Sequence, residues 1–247
     1  MSAANGEHEQ YCDGSLFSGL PSLAIAAHEL KSPLALVRQL SLMLEDGNVS
    51  ADDQKRMLRQ ISLTSERALR LTSDLTKSVR LPDALFTLEP INPQQLCEDI
   101  IRELTPLFVA HNRQVKLTSH RRSLLLVANR DLLRRIIMNF SDNALNYAEG
   151  DDCIQIKIGT HSSGKIIRLG VRDYGPALPS DLFKSLKNKL INVSSTPIHA
   201  RPQSSGLGLY IVSQFADAMD GRIGVTRHRD GATFYVDLQA SKQLNLL

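Results

Sequence analysis

A histidine followed at once by a carboxylate, His28-Glu29, lies in a stretch from Ser22 to Leu36 whose apolar residues recur at helical spacing. Leu23, Ala27, Leu30, Leu34, Val37 and Leu44 fall on one side of that helix, and His28 points most of the way round the other. The pattern therefore puts the imidazole at a surface and not in a core. A neutral imidazole is a nucleophile, and a neighbouring carboxylate can accept its second proton or hold its tautomer. Ser32 lies one turn on, on nearly the same face. Pro33 removes a helix hydrogen bond and crowds the carbonyl of Glu29, which predicts a kink just after the histidine. Taken alone, the stretch reads equally well as an exposed helix histidine beside an incidental proline.

A second group with chemical potential lies in the helical run Asp131 to Gly150. Leu133, Ile136, Ile137, Phe140, Ala144 and Tyr147 form its apolar face, while Arg135, Asn139, Asn143 and Asn146 form a separate polar stripe. Asparagine is a poor helix former, so a stripe of three needs a partner, either internal hydrogen bonds or a ligand. Amide oxygens suit a hard cation such as Mg²⁺, and amide nitrogens donate to phosphate oxygens. Two glycine-bearing loops follow. Asp173-Tyr174-Gly175-Pro176-Ala177 closes a strand with an acid that can accept from an exocyclic amine, or is an ordinary tight turn. Ser204-Ser205-Gly206-Leu207-Gly208 leads into an apolar helix whose first amides could bind phosphate, or whose glycines serve close packing.

The elements that must position these residues follow from periodicity. Helices are expected over Leu16–Glu45 and, capped by Ser50, to about Arg80, with Leu58, Ile61, Ser65, Ala68, Leu75 and Val79 near heptad spacing. A second apolar flank on the first helix, Ile25, Leu36, Leu40 and Met43, predicts a homodimer through residues 16–80 that forms a four-helix bundle. Residues 1–15 read as a flexible N-terminus, 81–90, with Pro82 and Pro90, as a linker, and 91–247 as an α+β domain of helices and antiparallel strands. Within it, strands at Gln114–Thr118 and Ser123–Val127 are joined by the basic turn His120-Arg121-Arg122, and Lys184–Gln203 lacks a period and reads as a mobile lid.

Composition sets outer bounds. The chain has 247 residues, 42% hydrophobic, and a net charge of +3 with both signs interspersed, which marks neither a nucleic-acid nor a polybasic membrane binder. No run approaches the roughly 20 apolar residues of a membrane helix. Cys12, Cys97 and Cys153 lack metal-ligand spacing and read as reduced, small apolar residues of a cytosolic protein, or of the cytosolic part of a membrane receptor.

Taken in order, His28-Glu29-Leu30-Lys31-Ser32-Pro33, the Asn139/Asn143 helix, the Asp173/Gly175 loop and the Gly206/Gly208 loop resemble the sensor histidine kinases of two-component systems. The resemblance spans Leu16 to Leu238. It implies a dimerisation and histidine-phosphotransfer domain, followed by an α/β sandwich of the GHKL (Bergerat) type that binds ATP and Mg²⁺. By that likeness His28 accepts a phosphoryl group, Glu29 serves as its base, Ser32 orients water, and a response-regulator receiver domain is the partner. Asn143 would hold Mg²⁺, Asn139, Asn146 and Tyr147 would line the nucleotide site, and Asp173 would bind the adenine amine. Gly175, Gly206, Leu207 and Gly208 would shape the pocket and its lid, and Phe183 matches a phenylalanine usual after the first loop. Four positions depart from the family pattern. Asn146 replaces a lysine or arginine, leaving a phosphate contact to Arg135 or a lid residue; Ala177 and Ser204 replace glycines; Ser32 replaces a threonine or asparagine. A degenerate relative that binds nucleotide or dimerises as a scaffold is the alternative these departures support.

Overall fold

A computed structural model of the chain describes residues 20–47, 49–80, 86–119, 124–147, 153–191 and 207–242. Two long helices come first, α1 (Leu20–Glu45) and α2 (Ala51–Arg80). Pro33 costs α1 one backbone hydrogen bond but does not end it, and the helix continues for three more turns. It stops where Gly47 takes a left-handed φ of +68° and donates to Leu44 O at 3.4 Å, the conformation glycine adopts without a Cβ clash. Ser50 then caps α2, its hydroxyl accepting from the Asp53 amide at 3.2 Å.

The hairpin buries Leu40 from α1 and Ala68 from α2, while Leu34, Leu42, Met43, Leu58 and Leu69 face outward. That corrects the wheel drawn from sequence, which paired Leu34 with the inward stripe and put Leu40 on the outer flank. The inward seam of α1 has to meet α6 (Leu207–Asp217) of the second domain as well as α2, and this rotates its buried line toward Leu36, Val37, Leu40 and Leu44. Leu71 and Leu75 of α2 pack directly against the second domain's core.

That domain is a two-layer α/β sandwich. Its sheet has five strands in the order β2 (Val115–Ser119), β4 (Ile154–His161), β5 (Ile166–Arg172), β7 (Gly231–Gln239) and β6 (Arg222–His228). A short pair, β1 (Glu89–Ile91) with β3 (Leu126–Ala128), closes one side. The strands alternate as a one-sided sheet must. Ile154, Ile156 and Ile158, Ile167, Leu169 and Val171, and Phe234, Val236 and Leu238 are buried on the inner face. Against them lie α3 (Pro93–Ala110) and α4 (Arg130–Tyr147), with Leu96, Ile100 and Phe108 from the first and Leu133, Ile136, Ile137 and Phe140 from the second. Asn92 caps α3 by accepting from the Gln94 and Gln95 amides, with Pro93 at the first helical position. Asn129 caps α4 through Leu132 N at 3.1 Å and reaches back to Thr87 O at 3.3 Å. Cys97 is fully buried, and burial, assisted by Glu98, pushes its thiol up to about 12, so it is an inert core residue.

Two sequence expectations are overturned. The segments around residues 115 and 126 do not pair as a hairpin: β2 runs parallel to β4, Val115 opposite Ile154, and β3 pairs with β1. Both are short strands, of five and three residues, whose local pattern does not say which strand elsewhere in the chain they pair with. The stretch assigned to a lid begins as helix α5 (Ser180–Ile191), which buries Leu186 and Leu190; residues 192–206 lie outside the described set.

Among the described residues no helix is long and apolar enough to cross a membrane. Phe140, fully buried with its ring centroid 6.0 Å from that of Phe234, joins the helical layer to the sheet. Phe140→Ala is expected to lower the unfolding free energy by about 3–5 kcal/mol in urea titration; a loss under about 1 kcal/mol would mean that α4 is not seated on the sheet.

Candidate functional site

The polar stripe of α4 is turned away from the sheet and toward the helical hairpin. Asn139 and Asn143 are half-buried, and the Asn143 amide nitrogen donates to Asn139 Oδ1 at 3.2 Å, one turn apart. Asn146 is exposed and Tyr147 half-buried at the end of the same helix. These four side chains line a cavity of about 1070 Å³ together with Gly208, the second residue of α6. A Cβ at Gly208 would stand 2.8 Å from Asn139 Nδ2, so a larger residue there would have to displace that amide.

The opposite wall of the cavity belongs to the hairpin. Ser32, Pro33 and Leu36 of α1 line it, with Lys55, Arg56, Arg59, Arg70 and Asp74 of α2. His28 and Glu29 lie within α1, one turn before Ser32 and Pro33, and their side chains are outside the described set. The structure thus brings Ser32 and the turn after His28 into one space with Asn139, Asn143, Asn146, Tyr147 and Gly208. Asp173, Gly175 and Leu207 do not line that space. Leu207 is fully buried, so its side chain is a core group and only its backbone is available to a ligand, while Gly206 lies outside the described residues.

Asp173 sits at the end of β5 and is almost completely buried. Its Oδ1 accepts from Ala232 N at 2.8 Å, and its own amide donates to Ala232 O at 3.0 Å. Gly175 N donates to Asp230 O at 3.2 Å. Both residues of the first glycine loop are therefore held by the β6–β7 turn.

The sequence places Arg135 on the polar stripe and offers it, or a lid residue, for the phosphate contact that Asn146 leaves open. In the structure its guanidinium is ion-paired with Asp74 of α2, reaches Ser73 Oγ at 3.4 Å and lies 3.6 Å from Asp131. Arg70 of α2 lies 4.0 Å from Asp142 of α4. These contacts were invisible beforehand, because nothing in the spacing of α2 says which of its acids faces another domain.

Two family models match the chain. Residues 22–82 match the His Kinase A (phospho-acceptor) domain, and residues 128–242 the histidine kinase-, DNA gyrase B- and HSP90-like ATPase. The chain is 28% identical over 211 residues to the sensor protein kinase PmrB of Pseudomonas aeruginosa, covering 83% of this chain and 42% of PmrB. It is 27% identical over 216 residues to the histidine protein kinase SaeS of Staphylococcus epidermidis, covering 86% of this chain and 61% of SaeS. It therefore spans about half the length of these curated relatives. Among solved structures, the histidine kinase ThkA in complex with the response regulator TrrA superposes with a TM-score of 0.62 at 17% identity, over 92% of this chain and 64% of that one. Full-length ShkA in complex with AMPPNP gives 0.58 at 21%, over 89% and 46%. These likenesses show a shared fold.

Asp74 and Arg135 are both mostly buried, so Asp74→Ala leaves a guanidinium largely out of water without its carboxylate. Hydrogen-exchange protection across α2 from Arg70 to Leu75 is expected to fall roughly tenfold, the loss of one charge-assisted hydrogen bond. Unchanged protection would mean the pair does not hold the two domains together.

Proposed function

The chain belongs to the sensor histidine kinases of two-component systems, and from that premise we propose that it moves the γ-phosphoryl group of ATP onto His28 and then to an aspartate of a response-regulator receiver domain. One observation carries the reading: the turn of α1 that follows His28 and the amide stripe of α4 line the same cavity. A nucleotide held on α4 and an acceptor on α1 then need no third element between them. The proposed division is residues 16–80 for dimerisation and phosphotransfer, 81–90 as linker and 91–247 for ATP, after an N-terminal stretch of 1–15, with the last two linker residues, Glu89 and Pro90, already in β1 of the second domain.

The neutral imidazole of His28 attacks the γ-phosphorus in line. A nitrogen–phosphorus bond forms, the bond to the bridging oxygen breaks, and ADP leaves with its electron pair. Glu29 takes the proton from the other ring nitrogen. Asn139, Asn146 and Tyr147 line the phosphate side, with Gly206, the Leu207 backbone and Gly208 shaping the approach of α6, and Gly175 bordering the base. Asp173 accepts from the adenine amine. Among the described residues no group of three or more His, Cys, Asp or Glu side chains could hold a metal. Asn143 would hold Mg²⁺ in another way, because its nitrogen donates to Asn139 and its amide oxygen, a hard ligand, takes no part in that bond. When bound, Mg²⁺ supplies charge neutralisation at the phosphate oxygens.

A phosphohistidine is a reactive donor, and the receiver domain meets it on the outside of the helical bundle. The outward Leu34, Leu42, Met43, Leu58 and Leu69 give a second copy of the hairpin an apolar surface, which supports a homodimer. Ser32 is exposed, and by the family likeness its hydroxyl would orient water for removal of phosphate from the regulator. Both ATP and receiver domains belong to the cytosol, so the chain works there, alone or as the cytosolic part of a membrane receptor.

Incubation with γ-labelled ATP and Mg²⁺ is expected to leave acid-labile, alkali-stable label on the wild-type chain and on neither His28→Ala nor Asn143→Ala. Label that persists in His28→Ala would overturn the reading. Nucleotide binding with no label at all would identify a scaffold instead.

A further inference from the structure

Arg172 precedes Asp173, and although it is a cation it is only 4% exposed. Its Nη1 donates to the carbonyl of Asp173, to Asp230 O at 3.3 Å and to Ala232 O at 3.4 Å. Its Nη2 donates to the Asp230 carboxylate at 2.5 Å, and its plane covers the Tyr174 ring, with Cζ 4.4 Å from the centroid. One buried side chain therefore ties the adenine-side loop to a turn 58 to 60 residues away. Arginine alone has the donors for this: five N–H groups in a fixed fork, against three rotating ones on lysine.

The turn is shaped for the same purpose. Gly231 has φ +123°, and a Cβ there would stand 2.3 Å from Asp173 Oδ1 and 2.8 Å from Arg172 Nη1. The next amide, Ala232 N, is the donor that Oδ1 of Asp173 accepts. Asp230 neutralises the buried guanidinium and, through its carbonyl, also receives Gly175 N. Asp173 is thus gripped at its amide, its carbonyl and one carboxylate oxygen, by groups that belong to, or are organised by, Arg172 and the Asp230–Ala232 turn.

We propose that Arg172, braced by Asp230, is the positioning residue that fixes the plane of the Asp173 carboxylate and so sets selection for a base bearing an exocyclic amine at that position. The proposal rests on Asp173 being the adenine contact. A carboxylate with a fixed plane meets the amine of adenine with an acceptor and meets the carbonyl of guanine with repulsion; a carboxylate free to rotate distinguishes them less.

The test uses the full chain with Mg²⁺, and compares wild type with Arg172→Lys, Asp230→Asn and Asp173→Asn. Lysine keeps the charge but cannot reproduce the fork, so Arg172→Lys should raise the KM for ATP about tenfold, leave kcat at saturating ATP within about twofold, and reduce the preference for ATP over GTP by a similar factor. Asp230→Asn, at a largely exposed side chain, should shift KM and base preference in the same direction by a smaller factor without unfolding the protein. Unchanged KM and base preference in both variants, in protein of wild-type melting temperature, would reduce Arg172 to a structural role. If Asp173→Asn itself leaves ATP affinity and base preference unchanged, the adenine assignment fails and the proposal with it. A large effect of Asp173→Asn beside none from the other two overturns the positioning role alone.

Discussion

The seating of α4 on the inner face of the sheet is the contact on which the rest of the structure depends. Leu133, Ile136, Ile137, Phe140 and Ala144 bury one face of the helix, and that burial fixes its rotation about its own axis. With the rotation fixed, Asn139, Asn143 and Asn146 have one direction left, away from the sheet. The hydrophobic effect supplies the force for this, at roughly 1.5–3 kcal/mol for each large apolar side chain removed from water. The site needs no separate device to aim its amides.

What those amides face is decided by charge at the domain contact. Arg135 and Asp74, with Arg70 and Asp142 as a longer pair, join α4 to α2, and Leu71 and Leu75 complete the contact with apolar area. An ion pair mostly removed from water gives orientation more than net stability. In this arrangement it closes one side of the cavity.

Much of this was readable in advance because local rules and tertiary packing agree. The cap at Ser50, the alternation in β4, β5 and β7, and the hairpin at Asp230-Gly231 are each written in residues within a turn of the feature they make. The departures lie where a partner is distant. Leu182, Leu186 and Leu190 have helical spacing, but lysines between them hid α5. The choice of β4 for β2, and of β1 for β3, depends on register with strands elsewhere in the chain. Arg172 is illegible for the same reason: in sequence it is a charged residue at a strand end, and its meaning comes from three carbonyls, two of them in the turn that begins β7.

The central claim is that the phosphoryl group crosses the cavity to the imidazole on α1. Localising the bound phosphate tests it most directly: the chain is incubated with Mg-ATP, digested at alkaline pH to preserve nitrogen–phosphorus bonds, and mapped by mass spectrometry. The account predicts phosphate on the His28 side chain, in the peptide that also holds Glu29 and Ser32. Phosphate on Ser32, on another histidine, or on no residue while ATP is hydrolysed would contradict it.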